Sequence, residues 1–164
     1  MMNYVLTYIT LIVIYILQTS LGIYIDIYSI APNIIFVFAV CYSMYNFPVR
    51  STVLCLVAGI MVDLYSQPYV GVNALLYMYI GLAISNFAAS LIKKNIWTVA
   101  LGVLVVSLVY HTAILIINYV IPGYATMWYP FLRIVLPTAV YDAVISVVIS
   151  YWARWLSEER IKGL

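Results

Sequence analysis

The sequence predicts an all-α polytopic membrane protein with six transmembrane helices, and three observations carry that expectation. Of its 164 residues, 67% are hydrophobic and 7% charged, and the mean hydropathy is +1.12, whereas soluble domains are roughly half apolar. The apolar residues gather in six runs that are apolar on every side, where barrel strands would alternate over about ten positions. The few charges stand singly or in short clusters between those runs. Six spans of about 20 residues consume roughly 120 of them, so the whole chain, 1–164, reads as one integral membrane domain.

The first run, Tyr4 to Ile25, contains no Lys or Arg, and the first basic residue in the chain is Arg50. It therefore lacks the positive n-region of a cleavable signal peptide and is expected to remain as a span. The second run is Ile30 to Phe47, with Pro32 near its start. The third, Ser51 to Tyr65, is short for a full crossing. Because the turn Gln67-Pro68-Tyr69-Val70-Gly71 closes it onto the fourth run, Asn73 to Ile92, this pair has the lengths of a partly re-entrant hairpin. Ile96 to Ile121 and Phe131 to Trp155 complete the set, each bounded by the Pro, Gly, Asn or charges that punctuate helices.

With six spans, both termini and the loops after helices two and four share one side, which holds Arg50, Lys93, Lys94, Arg154, Arg160 and Lys162. Arg133 alone falls on the other. The positive-inside rule then places both termini in the cytoplasm. Tyr24, Tyr28, Tyr69, Tyr124, Trp128 and Tyr129 gather at the outer boundary, and Trp97, Trp152 and Trp155 at the inner one, as an interfacial aromatic belt requires. This charge pattern excludes a nucleic-acid surface. Cys41 and Cys55, both inside apolar runs, have neither the number nor the spacing of a disulfide framework or zinc site.

Enzyme chemistry has little to draw on here. The sequence has no nucleophile elbow, no zinc-protease spacing, no phosphate-cradling Gly loop and a single His, so neither a catalytic residue, a metal nor a cofactor is expected. An ionisable group near the bilayer centre costs about 3 kcal/mol, which singles out Asp63, His111 and Asp142. Beside Asp142 the small residues Ala139, Ala143, Ser146, Ser150 and Ala153 recur at steps of four and three. Helical geometry puts them within about 40° of one line, with Asp142 about 60° away at the edge of that close-packing face. Gly81, Ser85 and Ala89 form a similar stripe in the fourth run. His111 shares a face of the fifth run with Ser107 and Asn118; that stripe reads either as ordinary hydrogen-bonded packing or as a proton path or ligand pocket.

The strongest local signal lies between Ala58 and Ala89. Gly59 and Ser66 sit on the face of Asp63, which places the acid in a close-packed groove. Pro68 blocks helix continuation, Gly71 can take positive φ, and Asn73 can cap the fourth helix. A hairpin staple, with Asp63 satisfied by amides of the turn, follows from this arrangement.

Gly59, Asp63, Leu64, Pro68, Gly71, Asn73, Ala74 and Leu75 match the pattern of the bacterial rod shape-determining MreD family, which this chain resembles. The resemblance extends to the length, the six-span layout, Pro32, the run Leu136-Pro137-Thr138-Ala139 and the basic tail. Two positions depart from the pattern: Asn33 stands where the family often has Asp, and Asp142 where Asn is common. The resemblance implies a non-enzymatic, multi-pass subunit of the bacterial cytoplasmic membrane, within the cell-elongation machinery. It would bind MreC and, through it, the MreB filament and the glycosyltransferase and penicillin-binding protein pair that build lateral wall. Membrane lipid is the other expected contact, and no nucleic acid is. The fold implied resembles the S-components of energy-coupling-factor vitamin transporters, and such an S-component is the rival reading. Against it, Tyr4 to Ile25 contains no Ala for a small-residue docking face, and the outer loops are short.

Overall fold

The computed structural model describes residues 2–25, 32–65, 70–91, 96–120 and 128–158, with backbone alone at 2–4, 21–25, 88–91, 119–120 and 157–158. Almost every described residue is helical. Six helices follow one another: α1 Met2–Ile25, α2 Ile34–Tyr45, α3 Pro48–Tyr65, α4 Val72–Leu91, α5 Ile96–Leu115 extended by a π turn at Ile116–Val120, and α6. The last runs from Trp128–Pro130 through a π turn at Phe131–Val135 into Leu136–Glu158. Leu136 N–H reaches back to the Phe131 carbonyl there. Pro137 follows at once, and a proline that removes a donor and crowds the preceding turn accounts for the local i→i+5 pattern.

Among the described residues, three helices are long and apolar enough to cross a membrane, Pro48–Tyr65, Ile96–Asn118 and Trp128–Leu156; Val5–Ser20, Ile34–Tyr45 and Val72–Phe87 are shorter apolar helices. The second, third and sixth helices differ most from the sequence reading, the sixth running from Trp128 to Glu158 where Phe131 to Trp155 was expected. The third helix starts at Pro48, not Ser51, because proline is pre-organised for a first helical position and the Phe47 carbonyl accepts from Arg50 and Ser51 N–H. Its 18 residues span about 27 Å, so it has the length of a crossing rather than of a re-entrant stub. Arg50 thus lies in a helical first turn rather than a loop. The second helix is the short one: Pro32 and Asn33 precede it, and its 12 residues reach only about 18 Å.

α2 is the hub. Every residue from Ile35 to Met44 is buried, and α2 packs against all five other helices. The register fixes their directions. Phe36 meets Tyr110 and Met44 approaches Gly102, so α2 and α5 are antiparallel. Asn33 meets Asp142 while Cys41 meets Ser146, so α2 and α6 are parallel. α3 and α4 form the most intimate pair. A Cβ on Gly59 would lie 2.5 Å from Ala74 Cα, where the two helices touch through bare backbone, and one on Gly81 would lie 2.6 Å from Cys55 Sγ, where the Cys55 side chain fills the space a Cβ would need. α1 packs mainly on α2 and α3, and Val5, Ile9, Ile12, Val13 and Ile16 stay exposed.

Candidate functional site

α4 begins at Val72, and its ladder starts with Leu75 N–H donating to the Gly71 carbonyl at 3.1 Å. Gly71 therefore occupies the N-cap position with φ +98° and no side chain to accept from the next amides. Asp63 does this from α3 instead. Its Oδ1 accepts Asn73 N–H at 3.1 Å and Asn73 Nδ2 at 3.0 Å, and its Oδ2 accepts Ala74 N–H at 2.9 Å. With 2% of its surface exposed, Asp63 is a cap supplied in trans, and its charge faces the positive end of α4. Asn73 is consequently not the cap that its position suggested. It donates to Asp63, and its Oδ1 accepts the Tyr110 hydroxyl of α5 at 2.8 Å.

A second acid serves the start of α2, an end that α2's shortness leaves inside the bundle. Asn33 is its N-cap: Oδ1 accepts Phe36 N–H at 3.1 Å, and Gln18 Oε1 of α1 accepts Ile35 N–H at 2.9 Å. Asn33's own N–H donates to Asp142 Oδ1 at 3.0 Å, and its Nδ2 donates to the Tyr77 hydroxyl at 2.8 Å. Ser107 Oγ donates to Asp142 Oδ2 at 2.5 Å. His111 Nε2 stands 3.5 Å from the same oxygen, without a hydrogen-bond partner. The Asp142 side chain is wholly buried, covered by the start of α2, whose Asn33 N–H it accepts.

Rings join the two sites. Phe36 stacks on Tyr110 with centroids 4.5 Å apart, Tyr77 packs edge-on to Tyr110 at 5.3 Å, and His111 lies 4.9 Å from Tyr110. One polar and aromatic lattice thus ties all six helices to one another, from Asp63 on α3 to Asp142 on α6.

The other singled-out residues fall as follows. Leu64 is exposed, next to the buried Asp63. Pro68, Ser66, Lys93, Lys94, Arg160 and Lys162 lie outside the described residues, as does the side chain of Ala89. Gly81 and Ser85 are buried, and Ser85 Oγ donates back to the Gly81 carbonyl at 2.8 Å. Ala139, Ala143, Ser146, Ser150 and Ala153 are all buried, so the stripe on α6 faces inward. The three-residue stripe on α5 does not survive intact: Ser107 and His111 meet Asp142, while Asn118 lies in the π turn, whose i→i+5 pattern interrupts the angular progression. Both cysteines are free and buried. Gln18, Tyr77 and Tyr110 are lattice members that sequence reading did not select.

Ser107, His111 and Asp142 have the residue types of a hydrolytic triad but not its order. The serine donates to the carboxylate, and the histidine is not placed to take its proton, so no nucleophile is activated. The arrangement does the work of joining helices. A family model, the rod shape-determining protein MreD, matches residues 1–159. The chain belongs to the MreD family. No curated protein and no solved structure matches the chain. The MreD family is one of non-enzymatic, shape-determining membrane proteins, which agrees with a site built from caps and packing contacts.

Proposed function

We propose that this chain is the multi-pass scaffold subunit of the bacterial rod-shape complex in the cytoplasmic membrane, with six spans and both termini inside. It binds MreC and so couples the MreB filament to lateral peptidoglycan synthesis. The single observation that carries this reading is the family match over residues 1–159. The geometry adds where a partner could be held. Asp63 locks the ends of α3 and α4 together, and at that locked tip Leu64, Tyr65 and Val70 present exposed apolar surface. A rigid apolar tip loses little conformational entropy on binding, so the hairpin around Gly59, Asp63, Leu64, Gly71 and Asn73 positions the single transmembrane helix of MreC.

A photo-crosslinking residue at Leu64, compared with one at exposed Leu101 on α5, tests this in the native membrane. Capture of MreC from position 64 is expected. Capture of MreC from position 101 alone would move the interface to α5. Co-purification of a transporter ATPase in place of MreC would overturn the function itself.

A further inference from the structure

Ser107 and His111 stand one turn apart on α5 and meet Asp142 across the α5–α6 contact. Both approach the same atom. Ser107 Oγ donates to Asp142 Oδ2 at 2.5 Å, while His111 Nε2 lies 3.5 Å from that oxygen, buried and without a hydrogen-bond partner. Buried polar nitrogens are as a rule bonded, so this one is an unfilled position in the lattice. Asp142 is unfilled in another sense. Its side chain is wholly buried, its contacts are Asn33 N–H, Ser107 and His111, and none of these is a fixed cation. Asp63, by contrast, sets its charge against three N–H donors.

The surrounding helices bring no competing charge to the pair. α2 contributes Asn33 and Phe36, α4 contributes Tyr77, and α5 adds Tyr110. The Tyr77 hydroxyl accepts from Asn33 and the Tyr110 hydroxyl donates to Asn73; α1 enters through Gln18, and α3 through Asp63, which lies beyond Asn73. A carboxylate and an imidazole are together neutral only with one added proton between them, and a buried site accepts the neutral form at least cost. His111 keeps 14% of its side chain exposed where Asp142 has none, which gives that proton its way in. We propose that His111 and Asp142 form a binding site for one exchangeable proton, held between Nε2 and Oδ2. Water supplies the proton and takes it back, and no other covalent bond changes. A charge-assisted bond of this kind is about 2.8 Å long, so uptake draws the two atoms together by roughly 0.7 Å and gives α5 a second hold on α6 beside Ser107. Proton occupancy thus sets how firmly α5 and α6 are clasped, whichever partner the chain binds.

His111 is the single histidine of the chain, so its ring nitrogens can be observed without ambiguity. The test uses the full chain, free of any affinity tag and labelled with ¹⁵N-histidine, in neutral detergent. The ring shifts are followed by NMR from about pH 5 to about pH 9, which spans the range where an imidazole changes charge, and thermal melting checks the fold. The Nε2 shift senses the proton whether it rides on the ring or on the carboxyl. The wild-type protein should show one step. Asp142→Asn keeps the acceptor for Asn33 N–H but removes the charge, and it should weaken proton binding at least about tenfold, a displacement of one pH unit. Ser107→Ala removes the competing donor at Oδ2 and should tighten it about threefold, so the two variants move in opposite directions. The absence of a step in the wild-type protein overturns the site, and so does an identical step in folded Asp142→Asn, which would mean that His111 titrates alone. Should Asp142→Asn not fold, Ser107→Ala decides: an unchanged or weakened hold on the proton there overturns the shared site.

Discussion

Asp63 and Asp142 are both buried carboxylates at the start of another element's helix, but the partners they hold differ in kind. At Asp63 all three partners are fixed donors, two backbone N–H groups and an amide NH₂. At Asp142 one partner is a fixed backbone N–H, and the others are a hydroxyl that can donate or accept and an imidazole nitrogen without a bond. The first site needs a double acceptor and therefore a charge. The second needs an acceptor on one side only. Burial alone does not tell which acid is irreplaceable; the directionality of its partners does.

The largest break is therefore expected at Asp63. Asp63→Ala strands two amides of the first α4 turn and the Asn73 side chain, at about 4 kcal/mol, and should lower the melting temperature in detergent more than any other change named here. Asp63→Asn should recover only part of this, because one backbone N–H always faces the new NH₂ group. Full recovery by Asn would show that charge is dispensable there and would erase the contrast with Asp142.

Asn33→Asp comes next. It adds a second carboxylate beside Asp142 in a buried network, at about 3 kcal/mol. Asp142→Asn in the same chain should restore stability, because Tyr77 and Ser107 hydroxyls can exchange donor and acceptor roles while the new amide oxygen at position 142 still accepts the backbone N–H of residue 33. Thermal melting of the two single variants and the double variant gives the coupling directly. Additive losses would mean that the two positions do not share one charge.

This pair also shows what could be read in the sequence. In the structure Asn33 and Asp142 are hydrogen-bonded neighbours 109 residues apart. Nothing in the spacing reveals that contact. Asp63 and its hairpin were legible because the acid, the turn and the helix start lie within about a dozen residues, where local geometry dictates who meets whom. The lattice was not, because Gln18, Tyr77 and Tyr110 are ordinary residues in apolar runs, and nothing local marks Tyr77 and Tyr110 as the interior tyrosines. Helix count and type were legible from composition. The shortness of α2 was not, since its apolar run continues to Phe47, beyond the last helical residue, Tyr45.

Two glycines sharpen the same comparison within the hairpin. Gly59→Ala places a methyl group 2.5 Å from the Ala74 backbone, which cannot rotate away, so α3 and α4 must separate at about 2 kcal/mol. Gly71→Ala meets nothing within 4 Å and costs only its left-handed backbone, about 1 kcal/mol. Melting curves should therefore rank Gly59→Ala below Gly71→Ala in stability. The reverse order would mean that the turn, not the helix contact, limits the hairpin.

The smallest effect is expected from Asp142→Asn alone. The new side chain keeps its oxygen on Asn33 N–H and turns its NH₂ toward Ser107 Oγ, which then accepts where it had donated. The exchange is one hydrogen bond for another, and such bonds between membrane helices average about 0.6 kcal/mol, so the melting temperature should move little. Removing the Asp142 charge also removes the carboxylate beside His111 Nε2. A folded Asp142→Asn protein that fails to support rod shape would therefore locate a functional demand for charge at this second acid, separate from stability. A folded variant with normal shape would leave Asp63 as the acid whose charge the molecule cannot do without.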